Sequence, residues 1–167
     1  MADEIINRVA NSKLVTIDLE DFYPKGARVL FDIKDWLFQE LILKEKDFRE
    51  HVKQHDWSQY QDGYLALHCS VDAIIPSWAY LLIATQASSY AKKVVVGNLQ
   101  DLETSIFQEI VSQMEVEEFR DKPVIIKGCS NKPIPETAYT LLVSRLNGVA
   151  KSIMFGEACS TVPLYKK

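Results

Sequence analysis

The chain has 167 residues, 47% hydrophobic and 25% charged, enough for a sizeable core and ordinary for a globular protein. Its formal net charge of −4 offers phosphate backbones no broad attraction, so nucleic acid is not the expected main partner. No apolar run reaches the roughly 20 residues of a membrane span. The leading MADEIINRVANSK lacks the apolar segment of a signal peptide. The expected location is therefore the cytoplasm, where thiols stay reduced and a disulfide framework is a poor default.

In chain order, Asp3 to Ala10 reads as a short helix. Leu14 to Glu20 alternates, with Val15, Ile17 and Leu19 on one side and Thr16, Asp18 and Glu20 on the other, the pattern of a half-buried strand. Pro24, Lys25 and Gly26 make a turn, and Ala27 to Phe31 reads as a second strand and its hairpin partner. A long helical stretch begins at Asp32 or Lys34 and runs to about His55, with a break near Lys44 to Asp47.

After Asp62-Gly63 the pattern changes to alternating strands and helices. Strands are expected over Tyr64 to His68, Lys93 to Val96, Pro123 to Lys127 and Ser152 to Phe155. Helices are expected from Pro76 to about Tyr90, from Gln100 to Phe119 and from Pro135 to about Asn147. This alternation implies βαβ units. The expected fold is a single α/β domain over 1–167, with a largely parallel sheet and helices packed on it. An N-terminal β-hairpin and helix fill 1–62, and a duplicated βαβ unit fills 63–167.

The duplication rests on CSVDAIIPSWAY, from Cys69 to Tyr80, and CSNKPIPETAY, from Cys129 to Tyr139. Each carries Cys-Ser, Ile-Pro and Ala-Tyr after a strand. Gly97 and Gly156 end the following strands, and the interval between them is only one position shorter than that from Cys69 to Cys129. Cys159 opens a shorter echo, CSTVP. Strand ends of a parallel sheet share one edge, where open α/β sheets build sites. All three cysteines of the chain would meet there.

Helix N-termini favour thiolate, the form that binds metal or attacks an electrophile. Ser70, Ser130 and Ser160 are placed to bond sulfur or cap a helix. Three thiolates leave one position open in a tetrahedral zinc site. His68, Asp72 and Glu157 are the nearby fourth donors, and the same set suits iron or an iron–sulfur cluster. The rival for each cysteine is plain filling of a core. No Cys-x-x-Cys spacing is present.

Other groups carry less. His51 and His55 share a helix face among Arg49, Glu50, Lys53 and Gln54, which reads as a solvated face. Asp18, Glu20 and Asp21 form an acidic patch beside Tyr23, either solvated or a partner-binding patch. Tyr80 and Tyr139 are expected to pack helix onto sheet. No phosphate-binding glycine loop and no Gly-x-Ser-x-Gly elbow occurs.

DLEDFYP (Asp18 to Pro24), FDIKDWLFQELILKEKDFR (Phe31 to Arg49), HCSVDAIIPSWAY (His68 to Tyr80), KGCS (Lys127 to Ser130) and GEACSTVPLYK (Gly156 to Lys166) together resemble an uncharacterised bacterial family of short cytoplasmic proteins, a domain of unknown function. The resemblance implies no activity. It does imply a setting, since members tend to be encoded beside iron–sulfur cluster assembly proteins, and these become the expected partners. Three readings follow. The first is an accessory of iron–sulfur assembly or maturation that binds metal or cluster through Cys69, Cys129 and Cys159. The second is a thiol-dependent enzyme or sulfur carrier. The third is a non-catalytic interaction module with structural cysteines.

Overall fold

The computed structural model describes residues 13–128 and 130–167. The expected helix over Asp3 to Ala10 and the side chain of Cys129 lie outside the described residues. Seven strands and four α-helices are described: β1 (Val15–Ile17), β2 (Arg28–Asp32), α1 (Glu45–Gln54), β3 (Tyr64–His68), α2 (Ser77–Ala87), β4 (Lys93–Val96), α3 (Leu99–Gln113), β5 (Pro123–Ile126), α4 (Glu136–Leu146), β6 (Ser152–Glu157) and β7 (Ser160–Lys166). The α/β class is as expected, and both βαβ repeats are present as β3-α2-β4 and β5-α4-β6.

The N-terminal hairpin does not form. β1 pairs in parallel with β5, and β2 pairs in parallel with β3. The strands therefore make two sheets, ordered β1-β5-β6-β7 and β2-β3-β4. Contacts divide the chain accordingly. One unit is Met1–Tyr23 with Phe107–Lys167, the other is Pro24–Ile106, and the division falls within α3. The physical reason is burial. β3 is buried from Tyr64 to Leu67 and β5 from Val124 to Ile126. A parallel strand of that kind needs a neighbour on each side. Each repeat supplies one neighbour through its own crossover and takes the other from the N-terminal segment.

With the pairings known, the duplication proves larger than the two βαβ motifs. One constant step along the chain, the long step, carries Phe48 to Phe107, Val52 to Val111, Tyr60 to Phe119, Pro76 to Pro135 and Ala79 to Ala138. Both phenylalanines are fully buried. The hydrogen bonds repeat with the side chains. Asp62 N–H donates to Tyr90 O and Asp121 N–H to Val149 O, each at 3.0 Å. Asp62 and Asp121 are both left-handed, at φ 59° and 57°. A second, short step relates the two N-terminal strands, carrying Val15 to Val29, Asp18 to Asp32 and Leu19 to Ile33. Leu19 and Ile33 are both fully buried.

Local chemistry explains the elements. Asp18 accepts from Glu20 N–H at 2.9 Å and starts a 3-10 turn at Leu19–Phe22; Asp32 accepts from Lys34 N–H at 3.0 Å and starts another at Ile33–Trp36. Of the long helix expected from Asp32 to His55, the part after the expected break near Lys44 to Asp47 forms, and the part before it does not. The turn ends at Trp36, Gln39 and Glu40 are left-handed, and α1 begins only at Glu45. α2 and α4 bury the same helical stripe, Ala79-Ile83-Ala87 and Ala138-Leu142-Leu146. Asn98 caps α3 by accepting from Gln100 and Asp101 N–H at 2.8 and 2.9 Å, while Asp101 accepts from Asn98 N–H at 2.8 Å. At the other end of α3, Arg145 donates to the carbonyls of Val111 and Met114.

β7 was not expected from the sequence. It returns antiparallel on β6, and Ala158-Cys159 make the turn between them. No helix follows Cys159, so neither a helix N-terminus nor a cap by Ser160 acts on that thiol.

Candidate functional site

Each unit ends its central parallel strand in a base that meets the capping aspartate of the neighbouring N-terminal strand. In the unit of β2, His68 Nε2 lies 3.8 Å from Asp32 Oδ2. In the unit of β1, Lys127 Nζ lies 2.8 Å from Asp18 Oδ2. His68 and Lys127 correspond under the long step, and Asp32 and Asp18 under the short one. The acid–base pair is thus a repeated feature of the carboxyl edges, which is where open α/β sheets place their sites.

Electrostatics keep both aspartates ionised. Burial works to raise the Asp32 carboxyl, but the Ser70 hydroxyl, the N–H groups of Lys34 and Ser70, and His68 together hold it below the usual carboxylate range. For Asp18, burial is likewise outweighed, by the Lys127 ammonium and the Glu20 N–H. The Asp18 hydrogen bond and charge raise Lys127 against the cost of desolvation, with Glu157 and Glu20 assisting.

The thiol loops follow these bases. Cys69 is half-buried, and its Sγ donates to Val71 O at 3.5 Å. Ser70 N–H donates to Asp32 Oδ1 at 3.1 Å, tying the loop to the acid–base pair. Burial, and to a lesser extent the Cys69 thiol, raise the Tyr80 phenol. In the other unit, Glu20 Oε2 accepts from the Ser130 hydroxyl at 3.2 Å and from Asn131 N–H at 3.0 Å. Tyr139 packs edge-on against Phe155 at 5.6 Å.

The long step runs unbroken from His68-Lys127 to Pro76-Pro135, so it sets Cys69 against Gly128 and Ser70 against Cys129. The two cysteines belong to equivalent loops, one position apart, rather than to matched positions. The expected shared edge of one sheet does not exist, because β3 and β5 belong to different sheets. Cys159 is exposed on the β6–β7 turn. Asp72 and Glu157 are exposed, and His68 is turned to Asp32. Among the described residues no three His, Cys, Asp or Glu side chains are arranged to hold a metal ion.

The chain matches, over residues 3–167, the family described as protein of unknown function DUF2480. It belongs to that family. No curated protein and no solved structure matches it. No described helix of this DUF2480 member is long and apolar enough to cross a membrane.

The aromatic cluster on the histidine face of α1 was not anticipated from the sequence. His51 is not merely solvated: its ring stacks on Trp36 at 5.6 Å and 10°. His55 lies 4.6 Å from the Trp57 ring and bonds the Tyr60 hydroxyl at 2.8 Å. The available signal was the density of Trp36, His51, His55, Trp57 and Tyr60 in a short span. Burial lowers the His55 pKa, against the raising influence of Asp56. The unfolded chain, with an ordinary imidazole near 6.5, then binds more protons than the folded one. Stability is expected to hold above about pH 6.5 and fall as pH drops below it, by at most about 1.4 kcal/mol per pH unit from this group. Urea midpoints between pH 7.5 and 5 check this, and His55→Gln should flatten the profile. An unchanged slope in the variant would remove His55 as the cause.

Proposed function

We propose that this DUF2480 protein is a cytoplasmic accessory of iron–sulfur cluster assembly or maturation, whose loop thiols hold iron or cluster as cargo. What supports the reading is one observation: the loop after the central strand of each unit carries a cysteine, Cys69 in one and, by sequence, Cys129 in the other. Cys69 follows His68, the base of the His68–Asp32 pair, directly in the chain. Thiols on separate loops suit transient holding better than a closed structural site, which would gather four donors. Cys159, exposed on its turn, is a third soft donor. Because the described residues contain no ready three-donor group, full coordination would draw on donors of a partner.

Protein prepared without oxygen is expected to contain iron or zinc, with sulfide if a cluster is held. Cys69→Ser and Cys129→Ser should each lower the bound metal at least severalfold. Metal-free protein without cluster absorption, which also takes up no iron and sulfide on reconstitution, would defeat the reading.

A second reading, a non-catalytic interaction module, is favoured by exposed apolar side chains of the β2 unit. Ile74 is 93% exposed on the Cys69 loop and Leu81 is 65% exposed on α2. On this reading the triple cysteine-to-serine variant retains partner binding.

A further inference from the structure

We propose that the cleft beside β1 docks an extended, basic segment of a partner protein, which adds a strand to the sheet and inserts an apolar side chain. This inference does not depend on the thiols.

The cleft has a volume of about 350 Å³ and is lined by Val15, Thr16, Ile17 and Asp18 from the first strand and its cap, with Met114 and Phe119 among the facing residues. Consecutive strand residues point to opposite faces. Four in a row border one cleft only if it runs along the strand's edge. Among the described residues β1 is an edge strand, paired on one side with β5. An open edge presents N–H and C=O groups to an incoming strand.

The internal repeat gives this cleft a reference. In the other unit the counterparts of Phe22, Met114 and Ile17 are Trp36, His55 and Phe31. There Trp36 fills the space, with ring centroids 4.8 Å from Phe31, 5.4 Å from His55 and 6.1 Å from Trp57. In the β1 unit the aromatic plug is gone. Phe22 is 43% exposed, and smaller or aliphatic Ile17, Met114 and Val116 replace the rings. The vacated volume is the size of a large apolar side chain with its flanking backbone.

The rim sets the charge of the occupant. Asp21, Glu115 and Glu118 line the cleft, and among the described residues none of them is in an ion pair. The other unit has Gln59 where Glu118 stands. Lysine or arginine alternating with apolar residues complements both rim and floor, since alternate strand residues share a face.

The test uses the full chain and two fluorescein-labelled peptides, KVKWKVK and EVEWEVE. Anisotropy is expected to show saturable binding of KVKWKVK at about 0.15 M salt, where surface charges are already substantially screened, and none of EVEWEVE. The variant Glu115→Lys with Glu118→Lys should weaken binding at least tenfold. The variant Asp47→Lys with Glu50→Lys, an equal charge change on α1, should leave it within twofold. Replacing both valines of the basic peptide by proline removes strand donors and should also weaken it at least tenfold. If a cleft variant fails to fold, amide shifts of the wild-type protein decide. Shifts at Val15–Ile17, Asp21 and Glu118 support the proposal. Absent binding, equal loss in both double variants, equal binding of the proline peptide, or shifts confined to other surfaces each overturn it.

Discussion

Glu103→Leu is expected to destabilise the protein by about 3–5 kcal/mol, because it leaves the Arg28 guanidinium without its carboxylate in a largely buried setting. Arg28 Nε lies 2.7 Å from Glu103 Oε1, and the two side chains are only 12% and 8% exposed. The guanidinium is also fixed by the carbonyls of Pro24 and Gly26, each at 2.7 Å, and stands 4.7 Å over the Tyr64 ring. It cannot swing into water when its partner is lost without giving up those contacts. Arg28→Met combined with Glu103→Leu should recover part of the loss, since the double replacement removes the ion that had lost Glu103. Urea denaturation of the two variants decides. A single variant within about 1 kcal/mol of wild type, the range of an exposed pair, would show that the contact contributes little.

Phe48→Ala and Phe107→Ala are expected to cost about the same, roughly 3–5 kcal/mol each, as large-to-small changes in well-packed cores do. Both rings are fully buried, one in the cluster with Ile33, Val52 and Leu67, the other in the cluster with Leu19, Val111 and Ile126. These partners correspond pair by pair under the long and short steps. If the duplication governs packing, corresponding positions carry corresponding loads. Losses differing by more than about 2 kcal/mol, the spread that one truncation shows across dissimilar sites, would mean two differently packed cores on one repeated backbone. The aromatic cluster of Trp36, His51, His55 and Trp57 belongs to the Pro24–Ile106 unit, and Val116 takes the Trp57 position in the other.

Much of the local structure was legible in the residues. The βαβ alternation, the proline-started helices and the second copy of the motif follow from short-range patterns: apolar strands, Ile-Pro, Ala-Tyr and a glycine after the strand. Gly97 and Gly156 have φ of 142° and 124°, a conformation that side chains rarely tolerate. That requirement explains glycine at both positions, just past β4 and one residue before the end of β6. The N-terminal copy was not legible. Asp-Leu-Glu-Asp-Phe and Asp-Ile-Lys-Asp-Trp share only two identities, and turn residues between two short strands point to a hairpin on local grounds.

What the sequence by itself determined was the alternation of β3 to β6 with their helices and the fact of repetition, because these depend on neighbours a few residues apart; β7 and the turn at Ile33–Trp36 were not among them. Which strand joins which sheet was a tertiary decision. Buried parallel strands compete for partners over a separation of 109 residues between Asp18 and Lys127, and no window of the chain contains both sides of that choice. The same decision put β3 and β5 in separate sheets, so that the bases following them, His68 and Lys127, meet different aspartates.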